Sequence, residues 1–383
     1  MMKLKRIIVL FVFLPLLVYC GGKENVVEVP GPPGTVQTGT GDEGGENGSG
    51  NEQCGGNENP GGGSTHSGPW DANRGKVVTP TAGKDGWTSS KVRDGIVYYH
   101  LSGTEEISGV KQEVFVVDLD MNNPDYKVTL TRTSPSAFTS TVHKNNGAIV
   151  TINAGYEAGS IYIRCNGTDY SIIPNTQIGT TGQDNWKSEG AFYIDNKGVP
   201  GLVFVGSPKR DGVVSGIKGS SYADAVKKQR TYYMNTMAKA TYPFILSSAP
   251  SMIDDYEPIG ETFCDYTISD NTVNTLNSEN LERHQRVRHP RTAVGITEHN
   301  HLILMVVDGR RTSRNGMSCR ELTRFMVKWF NPQYALNLDG GGSSAMCVEN
   351  LGNSETHVVN SPIDSGTSGQ ERARDTHILI LEK

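Results

Sequence analysis

Tyr334-Ala335-Leu336-Asn337-Leu338-Asp339-Gly340-Gly341-Gly342-Ser343-Ser344 is the stretch on which the reading of this chain turns. Tyr334 to Leu338 has the texture of a buried strand, and it delivers one carboxylate, Asp339, to its end. Three glycines follow at once. A backbone without Cβ atoms turns sharply and lets another group approach closely. Successive amides in such a turn can form an anion-binding concavity. An acid beside an anion cradle at a strand end is the layout of a reactive site. A tight turn whose Asp only caps backbone amides is the plainer alternative.

Immediately upstream lies the clearest helix. Ser318 and Glu321 have capping-box spacing, and Leu322, Phe325, Met326, Trp329 and Phe330 recur at helical intervals before Asn331-Pro332 stops the run. That stripe reads as core. Further out, short β-rich runs recur at Val114 to Leu119, Tyr126 to Thr131, Ala148 to Asn153, Ala191 to Asp195, Leu302 to Val307 and Thr376 to Leu381. Ala148 to Asn153 and Leu302 to Val307 are almost wholly apolar, which predicts central strands. A second helix is expected over Ser136 to Asn145, ending at Gly147, and Tyr222 to Tyr233 has a weaker helical pattern. Many strands with few helices predict a single α+β domain of mixed β-sheet.

The 383-residue chain is not all domain. Lys3, Lys5 and Arg6 precede the apolar run Ile7 to Tyr19, which is the charged start and short core of a signal peptide. The run is too short to span a bilayer. Leu16-Leu17-Val18-Tyr19-Cys20 resembles a bacterial lipoprotein cleavage box, so residues 1–20 are expected to be a lipoprotein signal region, cleaved before a lipidated Cys20. Residues 21–75 are rich in Gly, Pro, Asn and Glu and cannot bury enough surface to fold, which predicts a flexible tether. The domain is then expected to span 76–383, held by its lipid anchor in the bacterial cell envelope. Of six cysteines, Cys165, Cys264, Cys319 and Cys347 fall in the domain. Spacing does not choose between free thiols and disulfides.

The formal charge of −5 provides no basic field for nucleic acid. No cysteine–histidine cluster suggests zinc, and neither a metal nor a cofactor is expected. A Walker A loop is absent because no Lys follows Gly342. Ala345 spoils a G-x-S-x-G elbow after Gly341-Gly342-Ser343-Ser344.

Three polar residues end apolar runs: Asn153, Asp308 and Asp339. Arg291, in His289-Pro290-Arg291-Thr292, opens a strand-like run, and Glu371-Arg372 leads into the last one. Arginine's planar fork suits phosphate or carboxylate. The rest of the basic run Arg283 to His289 reads as a solvated loop.

Taken together, these segments resemble the phosphodiester glycosidase family over roughly Val110 to Lys383. The resemblance is carried by Asn153-Ala154-Gly155-Tyr156, Ser247-Ser248-Ala249-Pro250, Pro290 to Gly295, Asp308-Gly309, Asn337 to Ser343, Val359-Asn360-Ser361-Pro362 and Glu371-Arg372, in that order. Glu157, Ser248 and Arg374 depart from the family pattern: an aromatic, a glycine and an apolar residue are usual there.

The resemblance implies hydrolysis of a sugar from a phosphodiester at its anomeric carbon, on glycans or glycan-derived phosphodiesters outside the cytoplasm. Such cleavage passes through an oxocarbenium-like state usually handled by two carboxylates. Asp339 is the leading nucleophile or general base, with Asp308 and Glu371 as candidates for the second carboxylate. A phosphate leaving group needs charge stabilisation, expected from Arg291, Arg372 and the amides of Gly340, Gly341 and Gly342, with Ser343 beside them. Asn153 is expected to bond a sugar hydroxyl. Two other functions fit less of the pattern: a non-catalytic glycan-binding surface lipoprotein, and a serine-type esterase using Ser343 or Ser344.

Overall fold

Apolar alternation builds two sheets that face each other. The computed structural model describes residues 69–171, 187, 189–204, 213–214, 217–218, 237, 239–261 and 266–383. The larger sheet has the order β1 (Trp87–Arg93), β2 (Ile96–Glu105), β3 (Val110–Asp120), β15 (His301–Val307), β14 (Arg291–Ile296), β16 (Tyr334–Asn337), β13 (Ser251–Ile253). The facing sheet runs β17 (Met346–Val348), β5 (Val150–Asn153), β20 (Arg374–Glu382), β4 (Tyr126–Ala137). A third sheet orders β7 (Thr168–Ser171), β6 (Ile163–Cys165), β12 (Phe244–Ser248), β8 (Gly190–Ile194) and β9 (Pro200–Phe204). Two short hairpins complete the strands: β10 (Val213–Val214) with β11 (Ile217–Lys218), and β18 (Ile363–Asp364) with β19 (Thr367–Ser368). Among the described residues every pairing between these strands is antiparallel.

One core lies between the two main sheets. Val117, Leu119, Val294, Leu302, Leu304, Val306 and Leu336 meet Val128, Leu130, Val150, Ile152, Met346, Ile378 and Ile380, all buried. The opposite face of the larger sheet packs against α4 (Cys319–Trp329) through Leu322, Phe325, Met326 and Phe330. The capping box is formed as its spacing predicts: Ser318 accepts from the Glu321 amide, and Glu321 reaches back to the Ser318 amide. On the outside of the smaller sheet, α1 (Thr139–Asn146) packs Val142 against Ala148 and Leu379. The result is helix, sheet, sheet, helix: one α+β domain, with all described residues in the unit Gly63–Lys383.

Both predicted central strands are central: β15 lies between β3 and β14, and β5 between β17 and β20. The α1 helix starts later than Ser136, because β4 continues to Ala137, which pairs with Arg374. Gly147 ends the helix in the left-handed conformation (φ 56°), as a C-terminal glycine should. Two short helices were not predicted, α2 (Asp270–Thr275) and α3 (Leu281–Arg286); they are capped by Ser269 and Asn280 rather than marked by an apolar stripe. The folded body begins before Lys76: Arg74 pairs with Asp255 at 2.8 Å, and Gly75 donates to the Tyr256 hydroxyl. Cys165, Cys319 and Cys347 are buried free thiols. The expectations for residues 1–68, Cys20, Cys54, Cys264 and the helix over Tyr222 to Tyr233 fall outside the described residues. No helix among the described residues is long and apolar enough to cross a membrane.

Candidate active site

The quoted stretch is where the chain crosses from one main sheet to the other. β16 ends at Asn337 in the larger sheet, a single 3-10 turn spans Gly341–Ser343, and β17 starts at Met346 in the smaller one. The crossing is pinned from both sides. Leu338 donates to Thr292 O, Asp339 to Ala154 O, and Gly341 to Pro290 O. The glycines are demanded by space as well as by dihedral. Gly341 adopts φ +65°, and a Cβ on Gly342 would lie 2.7 Å from the Arg372 guanidinium.

Asp339 sits at the centre of this crossing, 7% exposed. Its Oδ2 lies 3.0 Å from Arg374 Nε, whose side chain is 8% exposed. That separation is an ion pair, but the two atoms are not aligned as donor and acceptor, so each lacks a hydrogen-bond partner among the described residues. The hydroxyls of Ser343 and Ser344 are buried and equally without an aligned partner. Ser343 is nonetheless close enough to favour the Asp339 charge. Burial pushes the Asp339 carboxyl above the ordinary aspartate range. Arg374 pulls it back, Glu157 adds to the rise, and Ser343 and Lys187 oppose it.

Glu157, in the loop after β5, links this pair to a further cation. Arg374 Nη1 lies 3.8 Å from Glu157 Oε1, and Lys187 Nζ lies 3.3 Å from Glu157 Oε2. Lys187 also pairs with Glu279 at 2.8 Å and lies 4.7 Å from the centre of the Tyr156 ring. Burial works against the Glu157 charge, but Lys187 and Arg374 outweigh it and hold the carboxyl below the usual glutamate range. Tyr156 is fixed in turn: its hydroxyl donates to Ala249 O at 2.8 Å and accepts from Asn337 Nδ2 at 3.1 Å.

The residues singled out in the sequence gather around this crossing, but several have other occupations. Asn153 is wholly buried and makes three hydrogen bonds: Nδ2 donates to Asp339 O, and Oδ1 accepts from Thr292 Oγ1 and Ala345 N. It holds the turn rather than a sugar hydroxyl. Arg291, at 1% exposure, gives Nε to Met317 O and Nη2 to His284 O and Val287 O. These carbonyls, two of them at the end of α3, take the charge that the sequence assigned to phosphate. Glu371 accepts from the Ser140 amide and hydroxyl. It caps α1, whose N-cap residue Phe138 has no side-chain oxygen to do so.

Asp308 is buried and accepts from Asn360 Nδ2 at 2.9 Å and from the Ser361 amide at 2.9 Å. Asn360 Nδ2 also donates to Ser344 O, so Asp308 supports the turn through Asn360. Burial pushes the Asp308 carboxyl up to about 6, against those hydrogen bonds. Arg372 is 41% exposed and pairs with Asp364 at 2.6 Å beside Gly342. Arg310, in the left-handed region at φ 60°, brings Nη2 to 3.0 Å from where a Gly341 Cβ would be. The amides of Gly341, Ser343 and Ser344 bond to Pro290, Gly340 and Gly341 carbonyls and close the turn, which takes Gly341 out of the expected anion cradle. The cationic surroundings come from side chains.

Neither Lys187 nor Arg374 is among the residues expected at the site from the sequence. Glu157 and Arg374 carried a signal all the same: both depart from the family pattern, with opposite charges. Lys187 carried none. Among the described residues no cluster of His, Cys, Asp and Glu could hold a metal ion. A hollow lined by Val78, Asp118, Tyr256, His301 and Phe330 contains none of these residues.

A buried carboxylate thus lies against an arginine at a glycine turn between two antiparallel sheets. The sequence model of the phosphodiester glycosidase family matches residues 146–381, which include all of these groups, and the chain belongs to that family. No curated protein matches the sequence. Among solved structures, the catalytic domain of zebrafish N-acetylglucosamine-1-phosphodiester alpha-N-acetylglucosaminidase is similar at 18% identity, covering 80% of this chain and 87% of that one, with a TM-score of 0.47. A hypothetical protein from Synechocystis is similar at 13% identity, covering 78% of this chain and 64% of that one, with a TM-score of 0.45.

Proposed function

We propose that the domain hydrolyses a glycosyl phosphodiester at the anomeric carbon, with Asp339 as the carboxylate acting at that carbon. The observation that carries this reading is the set of buried polar atoms without aligned partners around one turn: Asp339 Oδ2, Arg374 Nε, Ser343 Oγ and Ser344 Oγ. Buried polar groups are normally satisfied, so such a cluster is held ready for a ligand. Family membership supports the reaction class.

Cleavage breaks the bond between the anomeric carbon and the phosphate oxygen. Water supplies the hydroxyl to the sugar and the proton to the phosphate side. The leaving phosphate is a stable anion and needs charge stabilisation more than protonation. Arg374 beside Asp339, Arg372 at Gly342 and Arg310 at Gly341 supply that charge. Arg374 opposes the effect of burial on Asp339 and so favours the ionised state that a nucleophile or base requires. Asn153, Asn337 and Asp308 position the turn. The expected setting is the cell envelope, with Cys20 as lipid anchor and glycan phosphodiesters as substrates.

The test is a panel of sugar-1-phosphodiesters offered to purified protein and to Asp339→Asn. Release of free sugar and a phosphomonoester by the first, with a loss of at least ~10³-fold in the second, is the expected result. Full activity of Asp339→Asn would make Asp339 a structural cap.

A further inference from the structure

Glu157, Arg374 and Lys187 form an arrangement that catalysis at Asp339 does not by itself require. The two cations are built in: the Lys187 side chain is 3% exposed and that of Arg374 is 8% exposed. The anion between them is not, since the Glu157 side chain is 60% exposed and its contacts are long, at 3.3 and 3.8 Å. Buried cations are costly without a counter-ion. An exposed carboxylate gains little from an ion pair. The asymmetry is that of a fixed cationic seat holding a removable occupant.

We propose that Lys187 and Arg374 form a subsite for an oxyanion of the substrate beside Asp339, and that the Glu157 carboxylate fills it in the free protein and is displaced on binding. The proposal rests on the reading of Asp339 as the reacting carboxylate. It adds where the substrate's charge goes, and that this chain carries its own competitor for the seat. The two cations face the two oxygens of one carboxylate, so the seat takes a group of that shape. A phosphodiester's non-bridging oxygens and the carboxylate of an acidic sugar share it. Four supports of the seat lie outside the moving part. Arg374 donates Nη2 to Gly155 O at 3.2 Å and keeps its ion pair with Asp339. Lys187 keeps Glu279 and the face of Tyr156. Displacing Glu157 therefore leaves both cations in place.

The experiment is calorimetric binding of inorganic phosphate and, separately, of D-glucuronate to wild type, Glu157→Gln and Glu279→Gln, with thermal melts as a check on folding. Glu157→Gln removes the competing charge from both cations and is expected to tighten binding of at least one anion roughly tenfold. Glu279→Gln changes the surroundings of Lys187 alone and is expected to tighten it by less than about twofold. A gain for phosphate only assigns the seat to the phosphodiester; a gain for glucuronate only assigns it to a sugar carboxylate. Adding Lys187→Met to Glu157→Gln should abolish the gain, and Lys187→Arg should preserve it. Unchanged or weaker binding of both anions by a folded Glu157→Gln protein overturns the proposal, as does a gain that survives Lys187→Met. Turnover plays no part in the readout. A protein that binds in this way but hydrolyses no sugar phosphodiester would refute the hydrolase reading and leave the subsite standing.

Discussion

Arg291 and Arg374 are both nearly buried, and each is the first residue of a strand, β14 and β20. Their surroundings give them opposite tasks. Around Arg291 the partners are backbone carbonyls of Met317, His284 and Val287, fixed by the fold and aligned for hydrogen bonding. Around Arg374 the partners include two carboxylates, Asp339 and Glu157, at ion-pair distances without full alignment. A guanidinium bonded through Nε and Nη2 to three carbonyls holds loops together. One shared between imperfectly aligned carboxylates is less tightly held, and it favours the ionised form of the acid beside it. Residue type and position in the chain do not separate these cases; the chemistry of the neighbours does.

The largest expected effects break that comparison directly. Arg374→Gln should lower kcat and kcat/KM together by roughly 10²–10³-fold, the scale of single electrostatic contacts elsewhere, with a modest change in Tm. Arg291→Met should do the reverse. It strands one buried and two partly buried acceptors, the buried one alone costing roughly 1–3 kcal/mol, so denaturant unfolding should show a loss of at least ~2 kcal/mol. If Arg291→Met folds normally and loses only turnover, the division between the two arginines is wrong.

A smaller effect sharpens the Arg374 side. Burial raises the Asp339 carboxyl and Arg374 lowers it, so the active, ionised form is lost as pH falls through a range above that of ordinary aspartate. In Arg374→Gln the opposing charge is gone, and the acid limb of the kcat profile should move to higher pH. An acid limb that stays in place would mean that Arg374 does not act on the reacting group.

The smallest effect concerns a carboxylate near this region that has a structural occupation. Glu371→Gln should weaken the cap on α1, costing about 1 kcal/mol by chemical denaturation, with kcat close to wild type. A thousandfold loss of kcat would return Glu371 to the chemistry.

Periodicity and caps made much of the fold legible. The Leu302 to Val307 run had to be central because it is apolar on both faces, and it is covered by both cores. Ser318 and Glu321 announced their helix through local hydrogen bonds. The short helices α2 and α3 were invisible because six residues cannot show a stripe. In the site, the strand-end rule brought Asn153, Asp308 and Asp339 to one turn, since a side chain at a strand end next to glycine is held where sheets meet. It did not say which of them face a ligand.

By itself the sequence determined the acid on the glycine turn, the strands that deliver it and the family to which the chain belongs, because these depend on short-range pattern: period, turn chemistry and motif order. Tertiary structure decided the partners. Asn153 and Arg291 became scaffolding, and Glu371 a helix cap, because carbonyls and amides distant in sequence reached them first. Lys187 reached the site from 152 residues before Asp339, and Arg374 from 35 after it. Charge acts through space, and one chain read in order does not show which charges will be neighbours.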